Sequence, residues 1–369
     1  MHYPKISVIT VVLNREDTLE RTIKSVLCQN YDNIEYIIVD GASTDGTIDI
    51  IKKFANNISE WISEKDKGIY DAMNKGIAFA TGDIIAFLNS DDWYLDNALS
   101  YVASQFIQKD CDICFCGVTR QTEDGKNINR FPGIREYEKV YKRLAVYHPA
   151  TFAKKRIFNE IGDFNVGYQI AADYDWLVRM KNYGYIMRFA DFVTTYYSDG
   201  GISSTYWNKA QKEAEQIDLR YARDKKEQKV IISFYKNNRC SARYSELLMC
   251  EQPCFICSEE MKQYLSEKVY IFGAGIMAKE CRKLLWHNGI QIKGYIDNNK
   301  ARWNECFENS SIFSPEILKS GQEMIVISSI QYKDEIKQQL YQMGIQSERI
   351  VGYDFLKSIV WDKIISEEV

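Results

Sequence analysis

The chain alternates between apolar runs of strand length and longer stretches in which apolar residues recur every three or four positions. Ile6 to Leu13 is a nearly continuous apolar run broken by Ser7 and Thr10, the pattern of a strand buried on both faces of a parallel sheet. Leu19, Ile23, Val26 and Leu27 follow at helical spacing, and Ile34 to Val39 reads as the next strand. Ile69, Ala72, Met73, Ile77 and Ala80 share one face of a further helix, and Ile84 to Leu88 is again a strand. Such alternation predicts an α/β fold, a mainly parallel central sheet with helices on both faces. From Trp207 to about Glu267 the character shifts to Lys, Glu and Gln with scattered aromatics, which predicts helices on a polar connector. A second βαβ signal opens at Lys268. KVYIFGAGIMAKECRKLL sets Gly273, Gly275 and Ala278 between a strand and a helix, Asp297 follows the strand IKGYID, and MIVISS and DEIKQQLYQMG continue the alternation. The expected division is residues 1–206 as one domain, 207–267 as a helical connector and 268–369 as a second, smaller α/β domain.

Two acidic clusters stand at the predicted carboxyl ends of strands in the first sheet: Asp40, Ser43 and Asp45 in IIVDGASTDGT, and Asp91 and Asp92 in IIAFLNSDDW. In an open parallel sheet the ligand crevice lies at that edge, so the carboxylates should converge. Paired carboxylates suit Mg²⁺ or Mn²⁺, which take oxygen ligands from one or two protein carboxylates, from water and from a substrate's phosphates. A nucleoside diphosphate is the natural guest. Asp45 and Thr47 lie where a helix begins, so Asp45 reads as a loop or capping residue.

In chain order, ISVITVVLNREDTLERTIKSVLCQ, IEYIIVDGASTDGT, EKDKGIYDAMNKGIAFATGDIIAFLNSDDW, HPATF, IGDFN, AADYDWLVR and GGIS, from about Ile6 to Ser204, resemble the family 2 inverting glycosyltransferases. That family has a glycosyltransferase A-type fold, which binds a nucleotide-sugar through a metal held by an Asp-x-Asp-like motif. The resemblance implies that Asp40 and Asp66 hold the uridine, that Asp91 and Asp92 serve the ribose and the metal, and that Asp173 is the catalytic base. It extends the nucleotide-sugar contacts to Thr10, Asn14 and Asn89. Asn74 and Lys75 either contact the diphosphate or face solvent. Asn89 stands where many relatives have the first Asp of the motif; it keeps a carbonyl acceptor without the charge, so the metal should lean on Asp91 and Asp92. For Asp173 the alternative is a structural ion pair with Arg179, although Asp175, four residues before that Arg, is better spaced for it. His148 in YHPATF is as well explained by a structural role as by a functional one. The C-terminal stretch, Lys268 to Tyr353, resembles the small Rossmann-like modules of polysaccharide-biosynthesis proteins. Its candidate nucleotide-binding positions are Gly273, Gly275 and Asp297, and a dinucleotide there competes with glycines that serve only the turn.

Composition narrows the partners. A formal net charge of −4 argues against nucleic acid, whose phosphates demand a basic face. No stretch reaches the roughly 20 apolar residues of a membrane span, and the apolar run after MHYPK lacks a small-residue cleavage site, so a cytoplasmic protein is expected. Ten unevenly spread cysteines fit reduced thiols. Cys250, Cys254 and Cys257 have iron–sulfur spacing, but an α/β module follows at once where a barrel would be needed. Three histidines offer little for zinc, and Tyr353 with Lys357 follows the glycines too closely for a dehydrogenase relay.

The leading expectation is a metal-dependent, inverting glycosyltransferase that moves a sugar from a nucleotide-sugar, UDP-linked, to a glycan or polyprenyl-linked glycan in surface-polysaccharide biosynthesis. Any membrane contact would be peripheral, at the inner face, through the Lys- and aromatic-rich stretch from Lys225 to Tyr244. The alternatives are a catalytically silent nucleotide-sugar-binding protein and an NAD(P)-dependent oxidoreductase built on the C-terminal module.

Overall fold

A computed structural model describes residues 3–121, 125–139, 141–198, 201–254, 257–266 and 268–367, and the chain divides into two compact units, Met1–Tyr235 and Lys236–Val369. The first unit runs through β1 (Ile6–Val12), α1 (Leu19–Leu27), β2 (Ile34–Asp40), α2 (Thr47–Phe54), β3 (Glu60–Ser63), α3 (Ile69–Phe79), β4 (Ile84–Phe87), β5 (Trp93–Tyr94), α4 (Ala98–Lys109) and β6 (Ile113–Gln121). It continues through β7 (Asn127–Arg130), β8 (Gly133–Tyr137), β9 (Tyr141–Ala145), β10 (Thr151–Lys154), α5 (Lys155–Ile161), α6 (Ala172–Tyr183), β11 (Met187–Tyr196), α7 (Ile202–Thr205) and α8 (Trp207–Arg220). The division between the units falls within α9 (Lys225–Met249).

The described residues of the first unit form a nine-stranded sheet in the order β3-β2-β1-β4-β10-β6-β11-β5, with β7 against β6. Strands β3, β2, β1 and β4 are mutually parallel, as the apolar alternation predicts. Strand β10 enters antiparallel between β4 and β6, a non-local pairing that periodicity alone does not reveal. Successive residues of a strand face opposite sides, so β1 feeds two cores. Ile9 and Val11 pack with Tyr70, Met73 and Ile77 of α3, and Val8 and Val12 pack with Leu19, Ile23 and Val26 of α1. The buried stripe of α1 is Leu19, Thr22, Ile23 and Val26, while Leu27 stays 37% exposed. Thr22 can be buried because its hydroxyl is satisfied: it donates to the carbonyls of Ser90 and Asp92 at 3.0 and 2.7 Å.

At the base of this sheet lies a buried carboxylate. Glu35 of β2 accepts from the Lys5 ammonium at 2.8 Å, the Ser7 hydroxyl at 2.5 Å and the Thr81 N–H at 2.6 Å. Burial alone would raise its pKa, but these donors outweigh the desolvation and bring it down to about 2.

In the second unit the described residues run through α10 (Ser258–Lys262), β12 (Lys268–Phe272), α11 (Ile276–His287), β13 (Gln291–Ile296), β14 (Cys306–Phe307), β15 (Ser310–Phe313), β16 (Met324–Ile327), α12 (Lys333–Gln342), β17 (Ile350–Gly352) and α13 (Tyr353–Glu367). They form a six-stranded sheet, β14-β15-β13-β12-β16-β17, parallel except for the β14–β15 pair. No described helix is long and apolar enough to cross a membrane. All ten cysteines are free thiols.

Candidate functional site

Register brings the acidic segments to one edge. Val12 at the end of β1 pairs with Asp40 at the end of β2, and Ile9 pairs with Phe87 at the end of β4, so the turn from Asn89 to Asp92 leaves the sheet on the same side. A cavity of about 510 Å³ opens there, and its lining includes Asp66, Asn89, Asp91, Asp92, Asp173, Arg15 and His148.

The acidic turn is gripped from three directions. Thr18, at the N-cap of α1, and Thr22 within it donate to the Ser90 carbonyl, and Arg21 donates to the Asp91 carbonyl at 3.0 Å while stacking 3.7 Å over Trp93. From beyond β11, the Ser198 hydroxyl donates to the Asp91 carbonyl and its N–H donates to Asp92 Oδ1 at 2.8 Å. The Asn89 amide donates to Asp92 Oδ2, also at 2.8 Å. Asp92 is buried, and desolvation, with the Asp91 charge adding to it, pushes its pKa up to about 7. Asp91 differs: all the backbone holds serve its carbonyl, and among the described residues no donor engages its carboxylate, which lines the cavity. Asn89 therefore stabilises Asp92 in a place where another carboxylate would repel it.

Asp173, which also lines the cavity, occupies the first turn of α6, where the helix dipole favours negative charge. Its Oδ1 accepts from the Tyr70 hydroxyl at 2.9 Å and the Tyr174 N–H at 2.8 Å. Among the described residues no donor engages its Oδ2. Burial raises the Tyr70 pKa well above its ordinary value, so that hydroxyl remains a donor; the Ile170 carbonyl, at 2.6 Å, shares its proton. Arg179 pairs with Asp175 at 2.9 Å, which leaves Asp173 outside that ion pair. His148 stacks on Phe87 at 5.2 Å, and burial lowers its pKa, so the imidazole beside Asp173 is neutral.

The remaining sequence-derived positions lie behind or beside the cavity. Asp40 is fully buried and accepts from the Ser43 N–H and hydroxyl at 3.0 and 2.5 Å and from the Ser63 hydroxyl at 2.6 Å. Gly41 follows it because a Cβ there would stand 2.5 Å from Asp66 Oδ2; its absence lets Asp66 reach the cavity wall. Thr10 is buried, its hydroxyl 3.2 Å from that of Tyr36. Asn14 ties the loop after β1 to the loop after β2, its N–H donating to Ser43 and its side chain accepting from the Thr44 N–H, both at 2.8 Å. Asn74 clasps the backbone of Phe164 in both directions, at 2.9 and 3.0 Å. Lys75 pairs with Glu64 at 2.7 Å. Asp45 accepts from the Thr47 N–H at 3.0 Å at the start of α2. Gly200 of the GGIS run lies outside the described residues. Arg15 on the cavity rim was not singled out by the sequence; a lone Arg in a loop carries no periodic signal.

In the second unit, Gly273 has φ +103°, a conformation that side chains disfavour, and Gly275 precedes α11. Asp297 is engaged by Arg302 at 2.9 Å, and the same guanidinium nitrogen reaches the Ala274 carbonyl at 2.9 Å, so the pair locks the Gly-rich turn.

Among the described residues no group of three or more His, Cys, Asp or Glu is placed to hold a metal unaided. The free Asp91 carboxylate on the cavity wall fits a cation whose remaining ligands are water and a diphosphate.

Residues 7–174 match the sequence profile of Glycosyl transferase family 2, and residues 265–351 match one described as C2185-like, N-terminal. A PGL/p-HBAD biosynthesis glycosyltransferase of Mycobacterium bovis BCG is 32% identical over 217 residues, 57% of this chain and 83% of that protein. The putative teichuronic acid biosynthesis glycosyltransferase TuaG of Bacillus subtilis is 36% identical over 150 residues, 39% of this chain and 59% of that protein. Among solved structures, residues 1–349 of S. aureus TarS in complex with UDP-GlcNAc superpose with a TM-score of 0.49 at 17% identity, covering 76% of this chain and 81% of that one. The mainly parallel, curled sheet with its cleft at the carboxyl edge is a glycosyltransferase A-like α/β fold, accompanied by a second sheet domain. The chain belongs to glycosyl transferase family 2.

Proposed function

We propose that the first unit transfers a sugar from a nucleoside-diphosphate sugar, UDP-linked, to a glycan or lipid-linked glycan acceptor with inversion at the anomeric carbon, in the building of a surface polysaccharide. The observation that carries this reading is the pairing, within one cavity of about 510 Å³, of two carboxylates with acceptor capacity that no described residue engages, Asp91 and the Oδ2 of Asp173. The names of the relatives, glycosyltransferases of PGL/p-HBAD biosynthesis and of teichuronic acid biosynthesis, support the surface-polysaccharide context.

In this reading Asp66 and Arg15 meet the nucleotide on one wall, and Asp40 acts from behind by fixing the loop through Ser43 and Ser63. Asp91, with Asp92 behind it, would hold Mn²⁺ or Mg²⁺, whose chemistry is Lewis-acid stabilisation of the charge that develops on the departing diphosphate. Asp173 Oδ2 takes the proton of the acceptor hydroxyl as that oxygen attacks the anomeric carbon from the face opposite the leaving group. Tyr70, donating to Oδ1, keeps the free oxygen turned to the cavity. A direct displacement makes a β-linked product from an α-linked donor.

The test is a screen of nucleotide-sugars with Mn²⁺ for diphosphate release. Release that disappears on chelation and in Asp91→Asn supports the reading. A protein that binds donor but releases nothing with any acceptor is the silent binder instead. We read the second unit as a Rossmann-like module. Because Arg302 occupies Asp297, a ribose could use that carboxylate only by opening the pair, and titration with NAD(H) decides that point. Membrane contact, if made, is peripheral; sedimentation with anionic liposomes tests it.

A further inference from the structure

The cavity residues account for binding and chemistry, but two buried carboxylates outside them lie on α8. Its inward stripe is Glu213, Ala214, Ile217 and Asp218. Glu213 is 9% exposed, and among the described residues no cation pairs with it. Its carboxylate is satisfied by backbone alone: Oε1 accepts from the Gln169 N–H at 3.0 Å, and Oε2 accepts from the N–H groups of Ile170 and Ala171, both at 2.9 Å. These are the three residues that lead into α6, whose N-cap, Ala171, has no capping side chain. Charge-assisted bonds to consecutive N–H groups fix a backbone segment in place.

One turn further along α8, Asp218 accepts from the hydroxyls of Tyr174 at 2.8 Å, Tyr235 at 2.5 Å and Tyr141. Burial raises the pKa of all three tyrosines, so they remain donors. Helix α8 thus holds the backbone just before Asp173 and the side chain just after it. The Ile170 carbonyl also takes the Tyr70 hydroxyl, the same group that donates to Asp173. Gln169 and Ile170 themselves line the cavity.

From this bracket we infer that Glu213 is a positioning residue for sugar transfer: its carboxylate sets the 169–171 backbone and, through it, the place of the Asp173 carboxylate in the cavity. The inference rests on Asp173 being the base. Its effect belongs on kcat, because donor affinity is assigned to Asp66 and Asp91 rather than to Asp173, and misplacement of a reacting group by about 1 Å costs on the order of 10²-fold in rate.

The experiment compares Glu213→Gln and Glu213→Asp with Asp173→Asn in the full chain. It measures kcat, donor KM, donor affinity in the presence of Mn²⁺ and backbone amide exchange at residues 169–171. Glu213→Gln has one carbonyl oxygen for three donors. It should lower kcat at least about 10-fold, leave donor affinity within about 3-fold and speed exchange at 169–171. Glu213→Asp, which keeps the charge, should recover part of the rate. Unchanged kcat with accelerated exchange would overturn the inference while leaving the base assignment intact. Equal losses of kcat and donor affinity in both Glu213 variants would make Glu213 merely structural and would also overturn it. Normal turnover in Asp173→Asn would refute the base assignment independently of either result.

Discussion

Replacing Asp92 by Asn separates the burial of charge from the binding of metal, and its size follows from the structure. Asp92 is 1% exposed and its pKa stands near 7, whereas the same carboxyl in an unfolded chain titrates near 3.8. Between about pH 4 and pH 7 the folded chain holds a proton that the unfolded chain has lost. Stability therefore falls as pH rises, by about 1.4 kcal/mol per pH unit and about 4 kcal/mol in all. Asn at this position can still accept from the Ser198 N–H, and the Asn89 amide can turn its oxygen toward the new NH₂, so the substitution itself costs under about 1 kcal/mol. The assay is urea unfolding in the presence of a chelator at pH 5 and pH 8. Across that interval the stability difference should move in favour of Asp92→Asn by about 3 kcal/mol, because only the wild-type chain must ionise a buried group. Mn²⁺ with UDP should return stability to the wild-type chain at pH 8 by offsetting that charge. A difference that stays constant from pH 5 to pH 8 would mean that Asp92 is already ionised in the folded chain, and the account of the acidic turn would fail.

Glu35 gives the opposite sign. Its depressed pKa adds stability above about pH 4.5 that is lost as pH falls toward 2, so Glu35→Gln should cost about 2 kcal/mol at pH 7, after allowance for the exposed Lys5 partner, and almost nothing near pH 2. A pH-independent cost in chemical denaturation would refute this. A chain cut after residue 267 should keep metal-dependent donor binding, since every cavity residue precedes that point; a monodisperse truncation that cannot bind donor would place part of the site in the second unit. Nuclear magnetic resonance of the product from an α-linked donor should show a β-linkage, and an α-linkage would exclude single displacement.

Much of this was legible in the sequence where the signal is local. The runs Ile6–Leu13, Ile34–Val39 and Ile84–Leu88 are parallel strands, and the acidic residues that follow two of them leave the sheet at one edge. Asp175, spaced four residues from Arg179, is its ion-pair partner. What escaped depends on distant partners. The segment around Thr151–Lys154 pairs antiparallel with two strands that both lie more than thirty residues earlier in the chain, which no window of periodicity can report. Asn74 looks like a polar helix residue until Phe164 is brought to it from ninety positions on. Glu213 and Asp218 belong to WNKAQKEAEQIDLR, which reads as a solvated connector. Their burial beside Ala214 and Ile217 is a helical stripe that could have been noticed, but the donors that engage their carboxylates could not.

The most direct test of the central claim is turnover by Asp173→Asn against wild type with the same donor, acceptor and Mn²⁺, with donor affinity measured alongside. The substitution keeps the shape and an acceptor for Tyr70 but removes the base. The account predicts that kcat falls by about 10² or more while donor affinity changes less than about 3-fold. Near-normal turnover would show that another group takes the proton and would contradict the assignment of the site.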